Sequence, residues 1–495
     1  MQSVVIYYYI MNGFQWNKIP DPNPLIEKGK YKDLVPPSWQ IKSVNPTIQH
    51  MPYNFQMQFQ NPEPISDGSL VFQAVQATSL FEMQEYIGYL LNQGPLPEFI
   101  NEQSNLRQVK FNSYIESGNL NSAFELFKDE YNLFMTADTN TKGQTRWFHF
   151  SISNVKQDLT VRFNICNFHK PVQLFRKGMK PVYFSSKDNK YSQSSWKPVE
   201  GDIQFYRNSS FSDPVKKTYM YTLSFSHKFI HNNDTVFFAL AVPYSYTRLL
   251  TFLSNLQNPI PDESKIILRQ EELCKSVGGL SIPKLTITGP KGQGQDLSKR
   301  KAIVITGRVH PSETTGSWVM EGILKYLTSP EASDLLNTYI FYIVPMLNPD
   351  GVICGNSRCG LMGVDLNRRW ENPSILAHPS IYAIKDQIKN IQRRREVFLF
   401  CDLHSHSKKF NSFIYGCNTA ANGGFTSWTK TRLLPRVIAK RSSLFSYPDC
   451  RFTVKPDKQG TGRVVVWKEF YITNSFTLET SLMGYKIGDI FVGFI

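Results

Sequence analysis

Ala302-Ile303-Val304-Ile305-Thr306-Gly307-Arg308-Val309-His310-Pro311-Ser312-Glu313 is the stretch on which the reading of this chain turns. An apolar run ends in glycine, and a histidine and a carboxylate follow, three residues apart. At the carboxyl end of a strand, both side chains can turn onto one small cation. A second apolar run, 397–401, leads in the same way into Asp402-Leu403-His404-Ser405-His406. Two imidazoles and one carboxylate are the ligand set of a catalytic zinc site, with the fourth position left for water or substrate. The pattern makes His310, Glu313 and His404 candidate ligands, with His406 the alternative to His404. Taken alone, His310 and Glu313 could equally be a helix start with a solvated carboxylate, so the surrounding sequence has to decide.

Around this stretch, apolar strands alternate with helical patterns. Strands are expected at 302–306, 340–346, 397–402, 463–466 and 475–478, and helices at 314–328 and 379–394. In the first helix Val319, Ile323, Tyr326 and Leu327 fall on one face. Such alternation predicts an α/β domain with a mixed, mainly parallel sheet flanked by helices, over 251–495. Upstream, 107–250 carries short runs of period two. Within 217–229, Tyr219, Tyr221, Leu223 and Phe225 point one way and Thr222, Ser224 and Ser226 the other. Several such runs separated by turn residues predict an antiparallel β-sandwich. Residues 1–106 form a third region: an arm rich in Pro, Asn and Gln, partly disordered, with helical spacing of Met83, Tyr86, Ile87 and Leu90 near its end.

A carboxylate within an apolar strand costs several kcal/mol unless it is paired or used. Glu479, in Phe476-Thr477-Leu478-Glu479-Thr480-Ser481, is such a group and is the candidate general base. Arginine is the residue type that grips a carboxylate through two parallel hydrogen bonds, and Arg368 and Arg358 lie in short polar motifs between the ligands. A salt bridge within its loop is the plainer role for Arg358. Lys and Arg total 55 against 40 acidic residues, a formal charge of +15. That excess suits an acidic partner. No RNP motif and no paired Cys/His fingers occur, which favours an acidic protein over nucleic acid. Seven cysteines without a ladder of spacings predict free thiols and a reducing compartment. The run at 4–11 is too short to span a bilayer, and no stretch of 18 apolar residues is present.

The order and spacing of these pieces, together with Asn348-Pro349-Asp350-Gly351, Gly355-Asn356-Ser357-Arg358 and Val364-Asp365-Leu366-Asn367-Arg368, resemble the M14 zinc carboxypeptidases. The variants present resemble the cytosolic carboxypeptidase branch, whose members trim glutamates from tubulin and other proteins. Glu116-Ser117-Gly118-Asn119-Leu120, Trp147-Phe148-His149-Phe150, Gly178-Met179-Lys180-Pro181 and Val242-Pro243-Tyr244-Ser245-Tyr246-Thr247 are similar to the N-terminal domain of that branch, so the likeness runs over roughly 107–485. The resemblance implies one zinc ion per chain on His310, Glu313 and His404, the first histidine of Asp-x-His. It implies that Asp365 orients His310, that Glu479 is the base and that Arg358 stabilises the oxyanion. Asn367 and Arg368 would hold the terminal carboxylate, and Arg463, in Gly460-Thr461-Gly462-Arg463, would sit at the substrate pocket. The activity implied is removal of C-terminal or side-chain-linked glutamates from acidic protein tails, tubulin above all, in the cytoplasm at the cytoskeleton or cilium, with neither nucleic acid nor a membrane span involved.

Ser312 and Ser405 stand where the family has glycine, both small changes between ligands. The sequence reaches Ile495 soon after Glu479, whereas relatives continue through further helices that pack on the sheet, so a longer chain is expected to be more stable. Two rival functions are a zinc deacylase of N-acyl amino acids on the same fold and a non-catalytic, microtubule-binding relative.

Overall fold

The computed structural model describes residues 68–91, 97, 109–141, 143–170, 174–188, 196–213, 218–256, 266–290, 292–418, 424–488 and 490–493. The arm expected over 1–60 lies outside them. Two sheets face each other in the first half. One runs in the order Ser69–Gln73, Leu120–Phe127, Glu130–Met135, Thr160–Phe168, Thr218–Lys228, Gln204–Asp213. The other runs Lys110–Asn112, His149–Ser153, Val236–Ala239, Val182–Ser185, Lys197–Pro198. Period-two alternation turns Phe163 and Phe225 of the first sheet onto Phe150 and Phe238 of the second. Phe163 and Phe238 lie 5.2 Å apart, and Phe150 and Phe238 5.6 Å apart. The four rings form the centre of the sandwich core.

Two details depart from the sequence reading. The first sheet already begins at Ser69–Gln73, paired with Leu120–Phe127, ahead of the boundary drawn at 107. The sheet is not wholly antiparallel, because Glu130–Met135 and Thr160–Phe168 pair in parallel. On the polar side of Thr218–Lys228, Thr222 and Ser224 are buried. Ser224 donates to Asn164 at 2.6 Å, and Asn208 donates to Thr222 at 3.0 Å, so a cross-strand polar ladder replaces water. The expected helix near 81–91 is Leu80–Leu90, capped by the Ser79 hydroxyl, and it buries Met83, Ile87 and Leu90.

The second half is built on seven strands in the order Ile267–Lys275, Ser281–Thr288, Tyr339–Val344, Lys301–Gly307, Val397–His406, Ser475–Ser481, Ser412–Tyr415. The four middle strands run parallel, and the flanking ones are antiparallel. Both faces are covered, which is why the central strands read as continuous apolar runs. Ile303 and Ile305 face the core shared with Thr314–Leu327, while Ala302 and Val304 face the core shared with Pro379–Gln392. The expected strand at 463–466 is instead part of the helix Gly462–Phe470. Val464, Val465 and Val466 are all buried there, and tertiary packing overrides the β preference of a valine run. Among the described residues no helix is long and apolar enough to cross a membrane.

Candidate active site

From Lys301–Gly307 the chain goes to Tyr339–Val344 on one side and then to Val397–His406 on the other. Strand order reverses there, and ligands of open α/β sheets gather at the carboxyl ends beside such a point. His310 follows the first of these strands, and Glu313 directly precedes the helix Thr314–Leu327. His404 lies near the end of Val397–His406. The turn that brings His310 inward passes through Arg308 at φ +55°, a conformation unfavourable for a residue with a Cβ. Arg308 holds that turn itself. Its guanidinium donates to the Pro311 carbonyl at 2.7 Å, the Tyr244 carbonyl at 2.9 Å and the Ser317 hydroxyl at 2.9 Å.

Ligand-capable atoms of His310, Glu313 and His404 all lie within 4.8 Å of one another. Tetrahedral zinc with bonds near 2.1 Å separates its ligand atoms by about 3.4 Å, so the three need only small movements to share an ion. Orientation points the same way. His310 Nδ1 and His404 Nδ1 approach the two Glu313 oxygens at 2.8 and 2.9 Å. Each Nε2 faces outward to a carboxylate: His310 to Asp365 at 3.1 Å and His404 to Asp402 at 2.6 Å. An outer carboxylate fixes the proton on Nε2 and leaves the inner lone pair free for a cation. Burial alone would push the Glu313 carboxyl up, but the two imidazoles hold it well below the usual carboxylate range. His406 takes no part in the cluster. Its Nδ1 accepts the backbone N–H groups of Lys408 and Lys409, and burial lowers its pKa to about 4.

Glu479 is level with His404 on the adjacent parallel strand, so both side chains leave the same face of the sheet. Burial, opposed by His404 and reinforced by Glu313, raises its pKa to about 7. Asp365 makes four contacts with three residues: His310, the backbone N–H of Asn367 at 2.9 Å, and Arg358 through Nε at 2.8 Å and Nη2 at 2.7 Å. Arg358 is thus ion-paired within the site and also lines its cavity. Asn367 is anchored by its Oδ1, which accepts from Gly462 N at 2.9 Å, and its Nδ2 turns towards His404. Arg368 donates to the Asn367 carbonyl at 2.7 Å. Arg463 is buried in the cavity wall, where it donates to the Gly416 carbonyl and meets Cys417 Sγ at 3.6 Å.

Ser312 and Ser405 both form hydrogen bonds. Ser312 donates to the Ser357 carbonyl at 2.6 Å, and Ser405 Oγ accepts from Gly316 N at 3.1 Å. The cavity above the centre is about 640 Å³, and the sandwich contributes Arg146, Met179 and Leu240 to its lining. The sequence reading passed over Arg308, Arg146 and the role of Asp402. The alternation in Asp402-Leu403-His404 was the available signal for Asp402, because residues two apart in a strand share a face. Asp402 is buried, with Thr306 donating to its other oxygen at 2.7 Å. Asp402→Asn is expected to weaken zinc binding about 10- to 100-fold, measured by competition with a chelator.

A family model described as zinc carboxypeptidase matches residues 250–481, and one described as cytosolic carboxypeptidase N-terminal domain matches residues 111–240. The chain belongs to the zinc carboxypeptidase family, in its cytosolic carboxypeptidase branch. It is 38% identical to cytosolic carboxypeptidase 3 of Bos taurus over 384 residues, covering 77% of this chain and 38% of that protein. It is 39% identical to human (Homo sapiens) cytosolic carboxypeptidase 2 over 383 residues, covering 77% of this chain and 41% of the relative. The chain therefore spans about two fifths of the length of these relatives. Among solved structures, a metallo-carboxypeptidase from Burkholderia cenocepacia aligns with TM-score 0.62 at 21% identity, covering 78% of this chain and 93% of that one. One from Pseudomonas aeruginosa, in complex with (2-guanidinoethylmercapto)succinic acid, aligns with TM-score 0.60 at 21% identity, covering 76% and 90%. At that identity the two establish the shared fold.

Proposed function

We propose that this chain is a zinc metallocarboxypeptidase that removes C-terminal or side-chain-linked glutamates from acidic protein tails, with tubulin as substrate. The observation that carries the acidic specificity is the cavity wall. Arg368, Lys408, Lys409, Arg451, Lys455 and Lys458 line it, and the acidic groups among its lining residues are Glu313 and Glu479. A cleft lined by one sign of charge concentrates the opposite sign in its substrate.

His310, Glu313 and His404 would hold one zinc ion per chain, which when bound polarises the scissile carbonyl and acidifies water. Glu479 takes the proton from the attacking water and passes it to the leaving amine. Arg358 faces the charge that develops on the carbonyl oxygen, and Asn367 with Arg368 receives the free α-carboxylate. Arg463 braces the pocket wall through Gly416. Asp365 and Asp402 hold the two imidazoles in the tautomer that binds a cation. The catalytic unit is 251–495 and the sandwich 107–250, with the latter extended upstream by Ser69–Gln73. All seven cysteines are free, which supports a reducing, cytoplasmic setting.

Mass spectrometry of tubulin tails after incubation with the zinc-loaded protein tests this function. Release of glutamate is the expected result. Turnover of N-acyl amino acids with tails left intact would establish the deacylase instead, and inertness on both, with microtubule binding kept, would establish a non-catalytic role.

A further inference from the structure

The loop that carries Arg358 is not held by the catalytic half alone. One oxygen of Asp138, a sandwich residue, accepts the backbone N–H of Ser357 at 2.5 Å. Its other oxygen accepts those of Arg358 at 2.6 Å and Cys359 at 2.7 Å. Thr139 donates its backbone N–H and its hydroxyl to Asn356 Oδ1, both at 3.1 Å. Ser357 Oγ accepts the backbone N–H groups of Arg146 at 2.9 Å and Trp147 at 3.0 Å. On the far side, the Ser357 carbonyl accepts the hydroxyl of Ser312, between the two ligands of the 310–313 loop.

Asp138 is 2% exposed, and among the described residues no cation forms an ion pair with it. A buried carboxylate is costly unless hydrogen bonds replace its water, and here three convergent backbone N–H groups do so. Those groups belong to Arg358 and its two neighbours. The contacts therefore run from Asp138 through the Arg358 backbone to its guanidinium, then to Asp365 and on to His310.

We propose that Asp138 is a positioning residue for hydrolysis: the sandwich uses it to set the backbone of 357–359 and thereby the place of the Arg358 guanidinium in the cavity. The inference rests on the reading of Arg358 as the group that meets the developing oxyanion. A group acting only on that charge lowers kcat when misplaced and leaves ground-state binding alone.

The test is a double-mutant cycle in the full, zinc-loaded chain on a glutamate-tailed peptide, with zinc content and Tm measured alongside. An asparagine at 138 turns an NH2 group onto backbone donors. Asp138→Asn is expected to lower kcat about 10- to 100-fold with KM little changed and zinc retained. In an Arg358→Ala background the same change should cost less than about threefold, because its target is already gone. Thr139→Val removes one tether without leaving a buried charge unmet. It should lower kcat about 2- to 10-fold and lose that effect in the Arg358→Ala background; this arm decides if Asp138→Asn does not fold. A loss that recurs undiminished without Arg358, or that tracks lost zinc, overturns the positioning role. Full turnover in Arg358→Ala alone would overturn the reading of Arg358 and leave Asp138 as a structural clamp.

Discussion

Glu479→Gln is expected to keep its zinc and lose about 10³- to 10⁴-fold in kcat, at the upper end of what a general acid–base residue contributes. The amide has nearly the shape of the carboxylate but cannot accept the proton of water. The pH profile gives the second readout. The base must be ionised, so turnover is full above its pKa and falls as pH drops through it. Burial places that pKa at about 7 in the protein alone. A cation at the centre favours the ionised form, so the acid limb should have its midpoint at or below that value. Stability has the opposite sign. The pKa is raised above its unfolded value, so the folded state is favoured while Glu479 is protonated, and the advantage fades as pH climbs from the ordinary carboxylate range to about 7. At pH 8 the neutral amide should therefore be no less stable than the wild type. A variant that turns over normally removes Glu479 from the mechanism, and one that unfolds at pH 8 overturns the account of its burial.

His404→Ala is expected to abolish both bound zinc and turnover. Two carboxylates lean on this one imidazole, Asp402 at 2.6 Å and Glu313 at 2.9 Å. Burial opposes a charge on the ring, yet in the metal-free protein these two carboxylates hold its pKa well above the ordinary imidazole range, and a bound cation would take the place of the proton on Nδ1. Removing the ring strands both acids, at a cost of about 3–5 kcal/mol in the metal-free protein. Chelation should lower the Tm of the wild type and leave that of His404→Ala unchanged, since a ligand that binds only the folded state stabilises by mass action. Metal analysis and thermal melts with and without chelator read both effects. His406→Ala is the control and should retain zinc, because that ring faces Phe413 and two backbone N–H groups.

The centre was legible because its signal is local: a histidine and a carboxylate three apart at one strand end, and Asp-x-His at another. Glu479 stood out as a lone acid in an apolar strand, and the structure sets it level with His404. Asn367 and Arg368 came from the family resemblance, since nothing in their own spacing singles them out. What escaped was contact across long sequence separations. Asp138 meets the 357–359 backbone through N–H groups, which leave no mark on residue type. Arg308 reads as an ordinary loop cation, although it is almost fully buried at 2% exposure. The 463–466 segment was misread because the first turn of the helix is buried on every side, Gly462 to Val466, and a turn buried all round loses the 3.6-residue periodicity that would mark it. In the sandwich, the polar side of 217–229 carries the Asn164–Ser224 ladder, a pairing decided by which strands become neighbours.

The register that sets Glu479 beside His404 has a consequence for how the cleft can be retargeted. The two are joined through an uninterrupted parallel ladder from Phe400–Ser475 to His406–Ser481, so the backbone positions from which acid and imidazole project are fixed by the sheet. Adaptation to a new tail must come from the rim, where Lys408, Lys455 and Lys458 stand on loops and short turns. Reversing the charge of those lysines should redirect the preference of the cleft towards basic tails while His310, Glu313, His404 and Glu479 beneath keep their geometry.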